Sequence, residues 1–195
     1  MYEDDAYCSH IKKLEAENFY RWNLSLYRSD AGLHESTPWY ATNYDDNNWQ
    51  TVNMFSQSWG NNGLNPIGGS HWLRQDIEIP QSWNGKEATL RLGCIVDADS
   101  VYVNGVFVGT TSYQYPPRIY RIPAGILKSG KNNITVRIIS NGGQPGFVQE
   151  KPYKIICDNE EINLKQKWKY RLGAPMPPAP EMMFSGTNRY AYTMP

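Results

Sequence analysis

An antiparallel β-sandwich of the jelly-roll kind, entered through one amphipathic helix, is the fold class that the sequence predicts: mainly β, with a single helical run at its start. Three observations predict it. After residue 37, apolar and polar residues alternate in short segments; turn-forming residues separate those segments; and a helical stripe occupies the first 32 residues. Composition points the same way. Seven Trp, fourteen Tyr and five Phe accompany 16 Gly and 13 Pro, while charged residues make up only 19%, a balance that suits pleated surfaces joined by turns. A chain of 195 residues buries roughly 70% of its unfolded surface, enough for a core without staples.

The helix lies within residues 1–32. Tyr7, Ile11, Leu14, Trp22 and Leu26 fall on one stripe with Asn18 in the gap, and Lys12, Lys13, Glu15 and Glu17 lie mostly on the other side. Asp4 and Asp5 suit the positive end of the helix dipole, and Gly32, after Ser29-Asp30-Ala31, suits the stop. The spacing predicts about five turns, with a stripe that needs a surface to cover.

Strands follow over residues 33–172. His71–Ile79 is the first. In Glu87–Cys94 the even positions are apolar and Glu87, Thr89 and Arg91 are polar, the mark of a half-buried strand. Ser100–Val103 and Val106–Val108 flank Asn104-Gly105, a hairpin signal because a type I′ turn needs positive φ at both positions. Arg118–Ile122 comes next. Ile134, Val136 and Ile138 then alternate with Thr135 and Arg137 after the opening Ser129-Gly130-Lys131-Asn132. Tyr153–Cys157 and Lys165–Tyr170 complete the set. Pro80, Pro116, Pro117 and Pro123 punctuate the joints, where no ladder donor is needed. Trp49, Trp72, Trp83 and Trp168 are expected to fill the sandwich core. Residues 173–195, with Pro175, Pro177, Pro178 and Pro180 and then Met182-Met183-Phe184, show neither period. They read as an extended return segment whose apolar residues meet another surface.

Several function classes drop out. Nineteen Lys and Arg balance nineteen Asp and Glu, whereas a nucleic-acid binder needs a basic surface to displace phosphate counterions. No apolar run approaches the roughly 18 residues of a membrane span, and no charged-then-apolar leader opens the sequence, although one upstream stays open. Cys8, Cys94 and Cys157 form no C-x-x-C pair; buried free thiols are expected, with a Cys94–Cys157 bridge as the alternative. There is no G-x-S-x-G elbow, and Ser70 and His71 are strand neighbours that point to opposite faces. Asp97-Ala98-Asp99 offers two carboxylates to a calcium ion, but nothing else at loop spacing joins them; a turn held by Asx hydrogen bonds is the expectation, and no cofactor. Glu150, Glu160 and Glu161 are not placed to work as a pair. Asn23 and Asn133 match a glycosylation pattern, but in a helix and a strand.

What remains is aromatic chemistry in loops. Pyranose rings present C–H faces that stack on indole and phenol rings, while amides and guanidinium groups bind the hydroxyls. Two loops carry that mixture: Phe55–Asn65, which includes Gln57, Ser58, Trp59 and Asn62, and Tyr113–Arg118. Trp59, Asn62, Tyr113, Tyr115 and Arg118 are therefore the candidate carbohydrate-binding residues, since loops lie on surfaces and carry function.

Read together, Tyr44-Asp45-Asp46-Asn47-Asn48-Trp49, Trp72-Leu73-Arg74, Leu90-Arg91-Leu92-Gly93, Val101-Tyr102-Val103-Asn104-Gly105 and Leu127-Lys128-Ser129-Gly130-Lys131-Asn132 resemble, in order, the sugar-binding jelly roll of family 2 glycoside hydrolases. Tyr115-Pro116-Pro117-Arg118-Ile119-Tyr120-Arg121-Ile122-Pro123, the long first helix and Lys167-Trp168-Lys169-Tyr170 with the proline run are more similar to the insert domain of bacterial sialate O-acetylesterases. Gly68-Gly69-Ser70-His71-Trp72 and Arg189–Pro195 depart from that pattern, the first by its polar Ser-His, the second by matching the re-entry segment only loosely.

The resemblance implies a galactose-binding-like jelly roll inserted in an SGNH-type esterase, whose nucleophile and histidine lie outside this stretch. No catalytic residue carries over. It also implies an exported protein, periplasmic or secreted, and as partners an SGNH catalytic domain together with sialic acid or an acetylated polysaccharide. The expected function is thus a non-catalytic accessory domain flanking or shaping a carbohydrate site. A free-standing carbohydrate-binding module is the alternative, followed by a structural spacer, with an autonomous hydrolase last.

Overall fold

Alternation in the sequence becomes strands wherever the predicted turns allow it. In this computed structural model, which describes residues 5–56 and 59–181, the chain runs α1 (Asp5–Ser29), α2 (Ala31–His34), β1 (Gln50–Val52), β2 (Gly68–Ile79), β3 (Ala88–Leu92), β4 (Ile95–Val96), β5 (Ala98–Val103), β6 (Val106–Thr111), β7 (Ile119–Ile122), β8 (Gly130–Ser140), β9 (Gly146–Phe147), β10 (Tyr153–Cys157), β11 (Glu160–Asn163) and β12 (Trp168–Met176). Asp4, Gln57, Ser58, the Met182-Met183-Phe184 run and Arg189–Pro195 lie outside the described residues.

Six strands form one sheet in the order β1-β12-β2-β8-β5-β6, four form a second in the order β11-β10-β3-β7, and β4 pairs with β9. Every pairing is antiparallel. Leu73, Ile77, Val101, Val136 and Ile138 of the first sheet share one core with Leu90, Leu92, Ile122 and Ile155 of the second. This is the antiparallel sandwich that the alternation predicts. Asn104 and Gly105 both take positive φ, +50° and +77°, at the β5–β6 turn, as the hairpin requires.

Trp83 and Trp168 belong to the sandwich core, but Trp49 and Trp72 do not. They are buried on the other face of the six-stranded sheet, in a cluster with Trp39 and Tyr102. That face also buries Thr135 and Arg137 of β8, so the strand is covered on both sides. Polar residues at alternate positions therefore do not mark a solvent face here. They mark a second, more polar layer beneath α1, α2 and the segment after them.

Asp30 fastens that layer. It caps α2, and its carboxylate accepts from the Gly32 amide (3.0 Å), from Trp72 Nε1 (2.9 Å) and, through its other oxygen, from Arg137 Nε (2.7 Å). Gly173 of β12 stands against it: a Cβ there would lie 2.4 Å from Asp30 Oδ1 and 2.5 Å from Ser70 Oγ. A side chain at that position has no room.

The helix differs from its predicted stripe. Phe19, Trp22, Asn23 and Leu26 are its buried residues; Trp22 and Leu26 lie on the predicted stripe, and together with Phe19 they pack with Ala98, Ile139 and Ala174. Tyr7 and Leu14 are 60% and 42% exposed. The stripe through Tyr7, Ile11 and Leu14 is apolar, but that half of the helix has no described surface beneath it. The stop comes at Ser29, before Gly32, because Asp30 leaves the helix to cap the next one. The strand predicted over Lys165–Tyr170 starts later and runs on to Met176, pairing with β2. The extended segment begins only at Pro177, whose carbonyl accepts from Trp22 Nε1 at 2.9 Å. Cys94 and Cys157 are buried free thiols that do not bridge to each other, and Cys8 is half-buried. Among the described residues no helix is long and apolar enough to cross a membrane.

Candidate functional site

The loop between β6 and β7 stands on a buried arginine. Arg118 follows Pro116-Pro117 and enters the sheet by exchanging backbone hydrogen bonds with Leu92 and Gly93. Its side chain is fully buried. Nε donates to Asp99 Oδ1 at 2.6 Å, Nη2 to the Asp97 carbonyl at 3.1 Å, and Nη1 to the carbonyls of Gln114 and Pro116 at 3.1 and 2.8 Å. The other Asp99 oxygen accepts from the Tyr120 hydroxyl at 2.5 Å. Charge-assisted bonds of this kind are the strong ones, and here they fix a turn of loop backbone.

Electrostatics support the clamp. Burial, with the Asp99 carboxylate beside it, pushes the Tyr120 hydroxyl far above the usual phenol range, so it remains a donor. Burial also raises the Asp99 carboxyl, which Arg118 and Tyr120 oppose. An Arg–Asp pair with no solvent contact holds only while both partners and their remaining hydrogen-bond groups are satisfied.

What the clamp presents is aromatic. Tyr113 and Tyr115 are 56% and 67% exposed and meet edge to face, with ring centroids 5.1 Å apart. Tyr115 also borders a cleft of about 190 Å³, lined further by Arg91, Gly93, Cys94, Pro117, Ile119 and Lys151. Cys94 Sγ donates to the Tyr115 carbonyl at 3.2 Å, a second tether for the loop. Gly93 has φ +52°, and a Cβ there would sit 2.6 Å from both Lys151 Cβ and the Tyr153 ring. Glycine lets the cleft wall close up. Among the described residues, the charged ends of Arg91 and Lys151 make no hydrogen bond or ion pair, so the cleft carries two uncommitted cations.

The other candidates lie elsewhere. Trp59 is 4% exposed, packs edge-on to His71 and Tyr170, and donates from Nε1 to the Asn65 carbonyl at 3.0 Å. Its ring offers no free face, which corrects the exposure expected from its polar neighbours. Asn62 is half-buried; its side-chain amide bonds the backbone of Asn53, and its carbonyl accepts from Gln50. Both residues shape the turn before β2. Arg118 belongs with the tyrosines but holds them from below and does not face outward. The structure thus brings together Tyr113, Tyr115 and Arg118, and gives Arg118 a positioning role. Sequence reasoning assigned no site role to Tyr120, Arg91 or Lys151, and it read Asp99 only as one of a carboxylate pair with Asp97. Asp99 was masked by its neighbour Asp97, whose carboxylate accepts from the distant Asn141 amide and makes no Asx turn. Among the described residues, no group of three or more His, Cys, Asp or Glu side chains is placed to hold a metal ion.

Ser70 and His71 separate as alternation dictates. Ser70 Oγ lies by Gly173 under the N-terminal layer, while His71, on the core side, meets the Tyr170 hydroxyl at 2.9 Å and the Ile67 carbonyl at 3.1 Å. Glu160 accepts from Trp83 Nε1 and Glu161 pairs with Lys154. Asn23 and Asn133 are buried, closed to glycosylation.

No protein-family model and no curated protein matches the sequence. Among solved structures the chain is similar to Bacteroides uniformis β-glucuronidase 2, with 18% identity, a TM-score of 0.49, and coverage of 70% of this chain and 16% of that one. Ruminococcus gnavus β-glucuronidase gives 17% identity and a TM-score of 0.37, covering 62% and 22%. Faecalibacterium prausnitzii β-glucuronidase gives 16% and 0.32, covering 39% and 15%. The chain spans less than a quarter of the length of each of these three structures.

Proposed function

We propose that this chain is a non-catalytic carbohydrate-binding or accessory domain whose contact point is the Tyr113–Tyr115 ledge. The observation that carries the reading is the clamp: a fully buried Arg118–Asp99 pair is spent on holding two exposed phenol rings at a fixed angle. Rigid, exposed aromatics with uncommitted cations beside them suit a sugar ring stacked on Tyr115 and an acidic or acetylated substituent reaching Arg91 and Lys151. The resemblance of the 115–123 segment to sialate O-acetylesterase inserts gives the finer form of the proposal. In that form, an SGNH-type catalytic domain of the same exported protein removes acetyl groups while this domain flanks the substrate. The division of labour fits Ser70 and His71, which occupy opposite faces of one strand.

Calorimetric titration of the chain with sialic acid and with acetylated oligosaccharides tests the site. Tyr115→Ala is expected to weaken binding about 10-fold, the loss of one stacking contact of about 1.4 kcal/mol, with an unchanged melting temperature. Binding untouched by both Tyr113→Ala and Tyr115→Ala rules the ledge out.

A further inference from the structure

Away from the ledge, a cavity of about 600 Å³ opens at the end of the six-stranded sheet. It shares no lining residue with the tyrosine cleft. Arg74 and Asp76 reach it from β2, alternating with the inward Leu73 and Ile77, so it lies on the outer face where the N-terminal layer stops. Tyr44 and Asp46 form one wall, and Asn104, Val106, Ile126 and Lys128 face them from the hairpin turn and the loop before β8. Its volume falls within the range of ligand clefts, roughly 300–1,000 Å³.

The lining carries three cations, Arg74, Lys128 and Lys131, against two carboxylates, Asp46 and Asp76. Asp46 is held by Arg74 at 2.8 Å and by Lys169 at 2.5 Å, and Asp76 by Lys131 at 2.8 Å. Burial pushes the Asp46 carboxyl up, yet Lys169 and Arg74 together keep it below the usual carboxylate range. It is therefore ionised at neutral pH. Lys128 Nζ has no partner among the described residues. Arg74 is 2% exposed; Nε serves Asp46, and Nη1 serves the carbonyls of Trp39 and Ala41 and the Thr135 hydroxyl. Its Nη2 has no acceptor among the described residues and is not among the enclosed unpaired atoms, and Arg74 lines the cavity.

We propose that this cavity is a second binding site, for one carboxylate-bearing sugar unit, with the carboxylate on Lys128 and Arg74 Nη2. Ring hydroxyls donate to Asp46 and Asp76, and the C–H face rests on Val106, Ile126 and Tyr44. A compact dianion such as phosphate fits less well. The same two carboxylates that accept hydroxyls repel a second concentrated negative charge.

Titration of the full chain with galacturonate, galactose and inorganic phosphate, followed by amide NMR, tests the site. Galacturonate is expected to saturate and to shift the amides of Asn104, Val106 and Lys128, with galactose about 100-fold weaker, the worth of two charge-assisted bonds. Lys128→Ala is expected to weaken galacturonate about 10-fold, the share of one of the two bonds, and Val106→Trp, at an exposed hairpin position, to remove binding. Lys128→Glu, on an exposed side chain, adds repulsion and gives a larger loss without altering packing. Absence of saturation overturns the proposal, as do binding that survives Val106→Trp and phosphate binding as tight as galacturonate. Galacturonate binding lost in Tyr115→Ala but kept in Lys128→Ala assigns the sugar acid to the ledge and overturns it too. The ledge and the cavity therefore fail separately.

Discussion

At the scale of single residues, the sharpest contrast is between Arg118 and the tyrosines it carries. Removing one partner of an enclosed ion pair leaves a charge with no compensation, at about 3–5 kcal/mol. Arg118→Met is expected to cost that much in urea unfolding, because Asp99 then keeps only Tyr120. Tyr115→Ala, on an exposed ring, is expected to stay within about 0.5 kcal/mol. Equal losses for the two variants would show that the ledge is part of the core. His71 makes a second residue-scale prediction. Burial, against the opposing pull of the Ile67 carbonyl and Asp30, holds its imidazole neutral down to about 4 from an ordinary 6.5. The unfolded chain therefore takes up the proton first as pH falls. Stability is complete above about 6.5 and drains away towards 4, by up to about 3 kcal/mol. Urea midpoints at pH 7 and 4.5 measure the drop, and a His71→Gln variant with the same drop would assign it to other groups.

Elements show where local pattern is enough and where it is not. The hairpin at Asn104-Gly105 is decided by two residues, both with positive φ, and so it could be read directly. Strands β3 and β10 were equally plain, since one face meets the core and the other is half-buried. For α1 the period holds and Trp22 and Leu26 are buried as the stripe predicts, but Phe19 and Asn23 are buried with them while Tyr7 and Leu14 are exposed. Periodicity gives a face but not the length of surface available to it. The expected outcome follows: Trp22→Ala costs about 3 kcal/mol, losing a buried ring and its bond to the Pro177 carbonyl, whereas Tyr7→Ser and Leu14→Ser each cost less than about 0.5 kcal/mol. Thermal unfolding of the three variants measures it; a Leu14→Ser loss near that of Trp22→Ala would mean that the first half of the helix is covered.

For the whole molecule, what the sequence could not announce is a third layer. Two packed sheets follow from alternating apolar residues, but the cover over the six-stranded sheet is made by Asp30, Trp39, Trp72, Arg74 and Arg137. Charged and ring-bearing residues at alternate strand positions look like a solvent face until their distant partners are known. The site was half visible for the same reason: exposed tyrosines in a proline-rich loop could be picked out, whereas the roles of Arg118 and Trp59 depend on Asp99 and His71, which are far from them or hidden among other readings. A layer held chiefly by one carboxylate should also come away as a unit. Asp30→Ala removes the acceptor shared by Gly32, Trp72 and Arg137, leaving the Arg137 guanidinium enclosed without its counter-charge, at about 3–5 kcal/mol. The loss should be confined: amides of α1, α2 and the 35–49 segment gain hydrogen exchange and become sensitive to protease, while β3, β7 and β10, which face the sandwich core from the other sheet, keep their protection. Uniform loss of protection across both sheets would instead make cover and sandwich a single cooperative unit, and Asp30 a core residue in all but polarity.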